Sequence, residues 1–88
     1  MEKKLNWLKQ ISEVAGISGF ETPVKQLLID KLAHQYEVNY DKLGSVIFSR
    51  KEQKDLKVML AAHMDEVGFM VKTITKEGFL KFVTIGGW

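Results

Sequence analysis

Leu60-Ala61-Ala62-His63-Met64-Asp65-Glu66-Val67-Gly68 places an imidazole and a carboxylate two residues apart at the end of an apolar run. Residues two apart on an extended chain point the same way. His63 and Asp65 can therefore lie on one side of a strand end. One ring nitrogen of His63 can bind a divalent metal. The Asp65 carboxylate can bind the same ion, a neighbouring ion, or the other ring nitrogen. A His-x-Asp pair by itself is common, and the other reading is a turn with a satisfied histidine. Its setting favours chemistry, because open α/β sheets hold their ligands outside the carboxyl ends of buried strands.

The elements that position this pair follow from periodicity. Residues 2–15 read as an amphipathic helix, with Leu8, Ile11 and Ala15 on one face, Leu5 and Val14 at its margins and Gly16 as the stop. A second helix is predicted over 22–34, with Thr22 as N-cap and Pro23 at the first helical position. Its apolar stripe is Val24, Leu27, Leu28 and Leu32. Tyr36, Val38 and Tyr40 alternate as a strand. Val46-Ile47-Phe48 forms another after the Asp41-Lys42-Leu43-Gly44 turn. Leu56 to Ala62 has little alternation, as expected of a strand covered on both faces. Residues 67–74 and 79–85 alternate around Lys76-Glu77-Gly78 and predict a β-hairpin. The fold class is α/β: two helices packed on a partial sheet, then a hairpin that begins a β-rich unit, with the break near residues 65–68. The expected core is Leu8, Ile11, Val24, Leu28, Val58 and Leu60.

Composition narrows the partners. The 88 residues are 45% apolar, with 13 Lys and Arg against 11 Asp and Glu, a net charge of +2. That charge is too small and too evenly spread for nucleic acid. A chain of this length buries roughly 60–65% of its unfolded surface, so its core is thin. Cysteine is absent, which removes disulfides and thiolate zinc sites. The longest clean apolar run, Val58 to Ala62, is far short of a membrane span. The N-terminus carries no secretory apolar segment. A cytoplasmic location is expected.

Other polar side chains form no second cluster. His34 stands near a helix end, Glu52 and Asp55 in a charged loop, and Glu77 in a hairpin turn. Asp41 precedes a turn glycine, where Asp commonly bonds its own backbone. Trp7, Trp88 and the phenylalanines read as core or interface residues.

Four pieces together resemble the N-terminal part of the metal-dependent aminopeptidases that include glutamyl aminopeptidase, deblocking aminopeptidase and the endoglucanase-M-like proteins. They are Ile17-Ser18-Gly19-Phe20-Glu21, Asp41-Lys42-Leu43-Gly44, Ala62 to Phe69, and Ile85-Gly86-Gly87-Trp88. The His63-to-Phe69 block is the most specific. The resemblance implies an α/β core holding two divalent metals (zinc, cobalt or manganese), with a β-rich domain inserted after the first metal motif. It implies removal of N-terminal residues from peptides and assembly into large homo-oligomers, commonly tetrahedral dodecamers. Carried over, His63 is a metal ligand and Asp65 the carboxylate that orients it. Glu66 is a rim or structural residue. Residues 1–66 correspond to the start of the catalytic domain and 67–88 to the start of the insertion. The family usually has Asn after Gly44; Ser45 here puts a local turn hydrogen bond in question.

The resemblance also implies a bridging aspartate, an adjacent Glu pair supplying the general base and a ligand, another Asp and a distant His. None has a counterpart among these residues. The expectation is therefore an N-terminal segment of such an enzyme, binding metal weakly and inactive alone. The alternative is a truncated, non-enzymatic module that self-associates through its strands.

Overall fold

The computed structural model describes residues 1–88 and contains two helices and two antiparallel hairpins. Helix α1 spans Glu2–Glu13 and α2 spans Thr22–Leu32. Strands β1 (Tyr36–Tyr40) and β2 (Val46–Arg50) form one hairpin, and β3 (Gly68–Ile74) and β4 (Leu80–Ile85) the other. In the first, Val38 faces Phe48 and Tyr40 faces Val46. This puts the alternating apolar residues on one side. Asp41 closes its turn by accepting the amides of Leu43 (2.9 Å) and Ser45 (2.8 Å). The turn bond left in question by Ser45 is made.

In the second hairpin Val71 faces Phe82 and Thr73 faces Lys81, so Lys72 is an extra residue, a β-bulge. Gly78 supplies the positive φ of 89° that its tight turn requires. Trp88 folds back along the strands. Its ring stacks on Phe69 at 4.7 Å, and Phe69 meets Phe82 edge-on at 4.5 Å.

Several expectations fail. Leu56–Ala62 is not a strand. Residues 53–65 hold no regular element, and Val58 and Leu60 are 78% and 93% exposed. A strand exists only beside a hydrogen-bonding neighbour, and this chain brings none to the segment. Leu8 and Ile11 are also exposed and Leu28 is only half-buried; Val24, 4% exposed, is the one apolar side chain fully inside. Helices touch strands sparsely, the dense packing lying within each hairpin. The radius of gyration is 17.5 Å, against about 12 Å for a compact domain of this length. Helix ends also differ. Helix α1 stops at Val14, before Gly16. Glu21 is the N-cap of α2 and Thr22 its first residue, while the Glu21 carboxylate accepts the Gly19 amide at 2.7 Å.

One long-range junction organises the chain. The loop after α1 meets the approach to β3 in a parallel bridge between Ile17 and Glu66. The Glu66 amide donates to Gly16 O (2.8 Å) and the Ser18 amide to Glu66 O (3.2 Å). The Glu66 side chain adds a third tie, accepting the Gly16 amide at 3.1 Å. Two glycines permit this closeness. A Cβ on Gly16 would overlap Val24 Cγ2, and one on Gly68 would overlap Ile17, with Cγ1 at 2.9 Å.

Candidate functional site

His63 and Asp65 come together just before that junction. His63 Nδ1 lies 3.0 Å from Asp65 Oδ1 and 3.1 Å from Asp65 O. Both neighbours are acceptors, so the proton of the ring is assigned to Nδ1. In the neutral imidazole this leaves the Nε2 lone pair free. The side chain of His63 is 86% exposed, so Nε2 is open to a ligand. The pair does not sit at a strand's carboxyl end as expected, since the preceding segment is irregular. The two-residue spacing and the junction at Glu66 hold it instead.

Asp65 has a second partner, which spacing did not reveal. Ser18 Oγ donates to Asp65 Oδ2 at 2.6 Å from the loop after α1. Each carboxylate oxygen thus has its own donor. These bonds favour the charged form: the Ser18 hydroxyl first, then the His63 ring, hold the Asp65 carboxyl below its usual range. Ser18 belonged to a recognisable segment, Ile17 to Glu21, but nothing in its spacing tied it to a residue 47 positions away.

Glu66 turns its carboxylate to the Gly16 amide and away from the His63 pair. His34 lies in a separate cleft with Lys3, Lys4, Trp7 and Lys31, where Lys31 Nζ stands 4.8 Å from the centre of the Trp7 ring. Asp41 is occupied by its own turn. No three His, Asp or Glu side chains converge to hold an ion. The donor set therefore fits one ligand position of a metal centre, a single neutral imidazole nitrogen with its carboxylate behind it. Beside Ser18, a shallow apolar cleft of about 290 Å3 opens between the loop and the second hairpin, lined by Ile17, Phe20, Phe69 and Ile85 among others.

Comparison with known proteins identifies the family. Residues 44–88 match the model of the M42 glutamyl aminopeptidase family. The putative aminopeptidase FrvX of Escherichia coli is 48% identical over 82 residues, covering 92% of this chain and 23% of that protein. The lysyl aminopeptidase of Pyrococcus furiosus is 46% identical over 82 residues, covering 91% and 23%. A TET aminopeptidase crystal structure from a marine sediment Thaumarchaeota archaeon superposes with a TM-score of 0.86 at 42% identity, over 100% of this chain and 25% of that one. The class is an aminopeptidase-like N-terminal segment. The chain belongs to the M42 glutamyl aminopeptidase family, whose members are generally dependent on divalent metal. It spans about a quarter of the length of the relatives it matches. No helix is long and apolar enough to cross a membrane.

Proposed function

We propose that this chain is the N-terminal segment of a divalent-metal aminopeptidase that removes N-terminal residues from peptides. In this reading His63 contributes one metal ligand through Nε2, and Asp65 fixes the tautomer and aims the ring. The observation that carries it is the double acceptance at His63 Nδ1, by Asp65 Oδ1 and Asp65 O, which leaves Nε2 exposed. A divalent metal held in part by His63 Nε2 would supply Lewis-acid chemistry, polarising a carbonyl and acidifying water near it. This chain's part is narrower. The imidazole presents a lone pair, and Asp65 raises its basicity and holds its direction.

The remaining ligands and the general base have no counterpart here, so the 88 residues alone are expected to release no amino acids from peptides. Residues 1–66 would open the catalytic domain and 67–88 the inserted β-rich domain. The exposed run 56–62 would then find its strand neighbours in further chain of the kind the longer relatives have. The family model is called glutamyl and one relative lysyl; in this reading, residue preference is set by parts of the enzyme beyond these residues. Zinc, cobalt and manganese all suit the donors. A cytoplasmic homo-oligomer acting on peptides completes the proposal, supported by a neighbour named a TET aminopeptidase.

Calorimetric zinc titration tests the ligand assignment. Weak binding that disappears in His63→Ala is expected. Tight binding that survives the substitution overturns the assignment. One observation favours a second reading, a self-associating module without activity: the bare apolar run of Leu56, Val58, Met59 and Leu60. Metal-dependent hydrolysis by a longer polypeptide carrying this segment decides for the enzyme.

A further inference from the structure

We infer that Ser18 is a positioning residue of the His63 site, acting through Asp65. This goes one step deeper than the proposed function and rests on it for its purpose: an imidazole aimed at a metal. The argument begins with the carboxylate. The terminal torsion of an aspartate is broad and roughly two-fold. With a single partner at Oδ1, the carboxyl group would be freer to rotate, leaving the His63 proton to the backbone acceptor Asp65 O alone. Ser18 Oγ holds the other oxygen at 2.6 Å, while His63 Nδ1 lies 3.0 Å from Oδ1. Two donors on two oxygens remove that rotation. Hydrogen bonds to a carboxylate are the strong, short kind.

Ser18 is itself fixed. Its amide donates to Glu66 O, and Gly16 beside it is bonded to Glu66 in both directions. The hydroxyl therefore starts from a loop that is hydrogen-bonded to the residue following Asp65. The chain Ser18 Oγ–H to Asp65, then Asp65 to His63 Nδ1–H, connects the loop after α1 to the direction of Nε2. The Ser18 side chain is half-buried and His63 is open, so the support lies behind the group it supports. A serine in the Ile17-to-Glu21 segment thus has a role in the site, distinct from Glu66, whose carboxylate only ties backbone.

The test reads the tautomer directly, without metal or activity. Long-range nitrogen–proton NMR of the ring, at a pH where His63 is neutral, gives the ratio of Nδ1–H to Nε2–H forms. The native chain is expected to favour Nδ1–H. Ser18→Ala should lower the ratio about fivefold, the factor that one net hydrogen bond supplies, and Ser18→Thr should restore it. Glu66→Ala, which cuts only the tie to the Gly16 amide, should leave the ratio within about twofold. If Ser18→Ala loses the dispersed amide signals of the second hairpin, Ser18→Cys takes its place. A thiol is a weak donor, so an intermediate ratio is expected. An unchanged ratio in the folded Ser18→Ala or Ser18→Cys chain overturns the proposal. So does a Glu66→Ala effect as large as that of Ser18→Ala, which would make Ser18 a loop anchor only. Zinc titration of His63→Ala separates the two readings. Binding that survives there removes the ligand role and leaves the tautomer result standing.

Discussion

Replacing Gly16 by alanine puts the junction and the site under one measurement. Gly16 does not have a positive φ, so alanine can adopt its backbone. In open space such a change would stabilise by about 0.4–1 kcal/mol through the unfolded chain. The space is not open. The new Cβ would overlap Val24 Cγ2 and lie 3.4 Å from Met64 O. Val24 is β-branched, stiff at χ1 and the most enclosed side chain in the molecule. It cannot swing aside as an exposed end would. Overpacking of this kind costs about 1–3 kcal/mol, so the net loss is about 1–2 kcal/mol. If the loop backs away instead, it stretches the bonds from Gly16 to Glu66 and withdraws Ser18 from Asp65.

Hydrogen exchange at the Ser18 and Glu66 amides reports this junction locally, since both donate across it. Gly16→Ala should speed their exchange about 5- to 30-fold, the factor 1–2 kcal/mol represents, with little effect at the β1–β2 amides. The double variant with Val24→Ala supplies the control. Removing Cγ2 clears the overlap, so the combined loss should fall short of the sum by about 1 kcal/mol or more. Additive losses, or slower exchange in Gly16→Ala, would refute the steric argument.

Three further outcomes follow from other contacts. Hydrogen bonds from the Ser45 hydroxyl and amide hold the Asp41 carboxyl below its usual range. Its stabilisation is complete above the ordinary carboxylate pKa and is lost as pH falls through the lowered one; Ser45→Ala should raise the Asp41 midpoint in an NMR titration, and an unmoved midpoint counts against the assignment. Trp88→Ala removes the ring stacked on Phe69 and the Nε1–H bonds to Gly68 O and Ile85 O. It should weaken the second hairpin by about 0.5–1.5 kcal/mol from stacking alone, read as lost amide protection in β3 and β4. Phe69, Val71, Phe79 and Phe82 are all half or more exposed on one hairpin, and large contiguous apolar patches are uncommon on soluble monomers, so light scattering should find a dimer or larger species; a monomer at high concentration would refute this.

How far the sequence could be read depended on where each element finds its partners. The hairpins were legible because their partners lie a few residues away. Alternation around Asp41–Ser45 and Lys76–Gly78 carries both the strands and the turns. The α2 stripe likewise located Val24. Leu56–Ala62 misled because an apolar run suits a covered strand but does not supply the partner, and no strand of these 88 residues pairs with it. Thr22 was a sound cap by residue type, yet Glu21 took the position and its side chain went to the Gly19 amide. The Lys72 bulge leaves no mark in an alternating pattern. Within the site, the two-residue spacing was enough to unite His63 with Asp65. The Ser18 bond crosses 47 residues and has no period to betray it.

The small size of the core sharpens what the junction means. With Val24 the only enclosed apolar side chain, hydrophobic burial is too limited to fix the direction of an exposed imidazole. What fixes it is short-range and polar: a parallel bridge, a carboxylate on a backbone amide, and a hydroxyl on the oxygen opposite the ring. Glycine at 16 and 68 lets these groups approach without a Cβ between them. Such an arrangement is assembled from two segments of this chain and asks nothing of a larger core. The tautomer of His63 is therefore set here, in the first quarter of the fold.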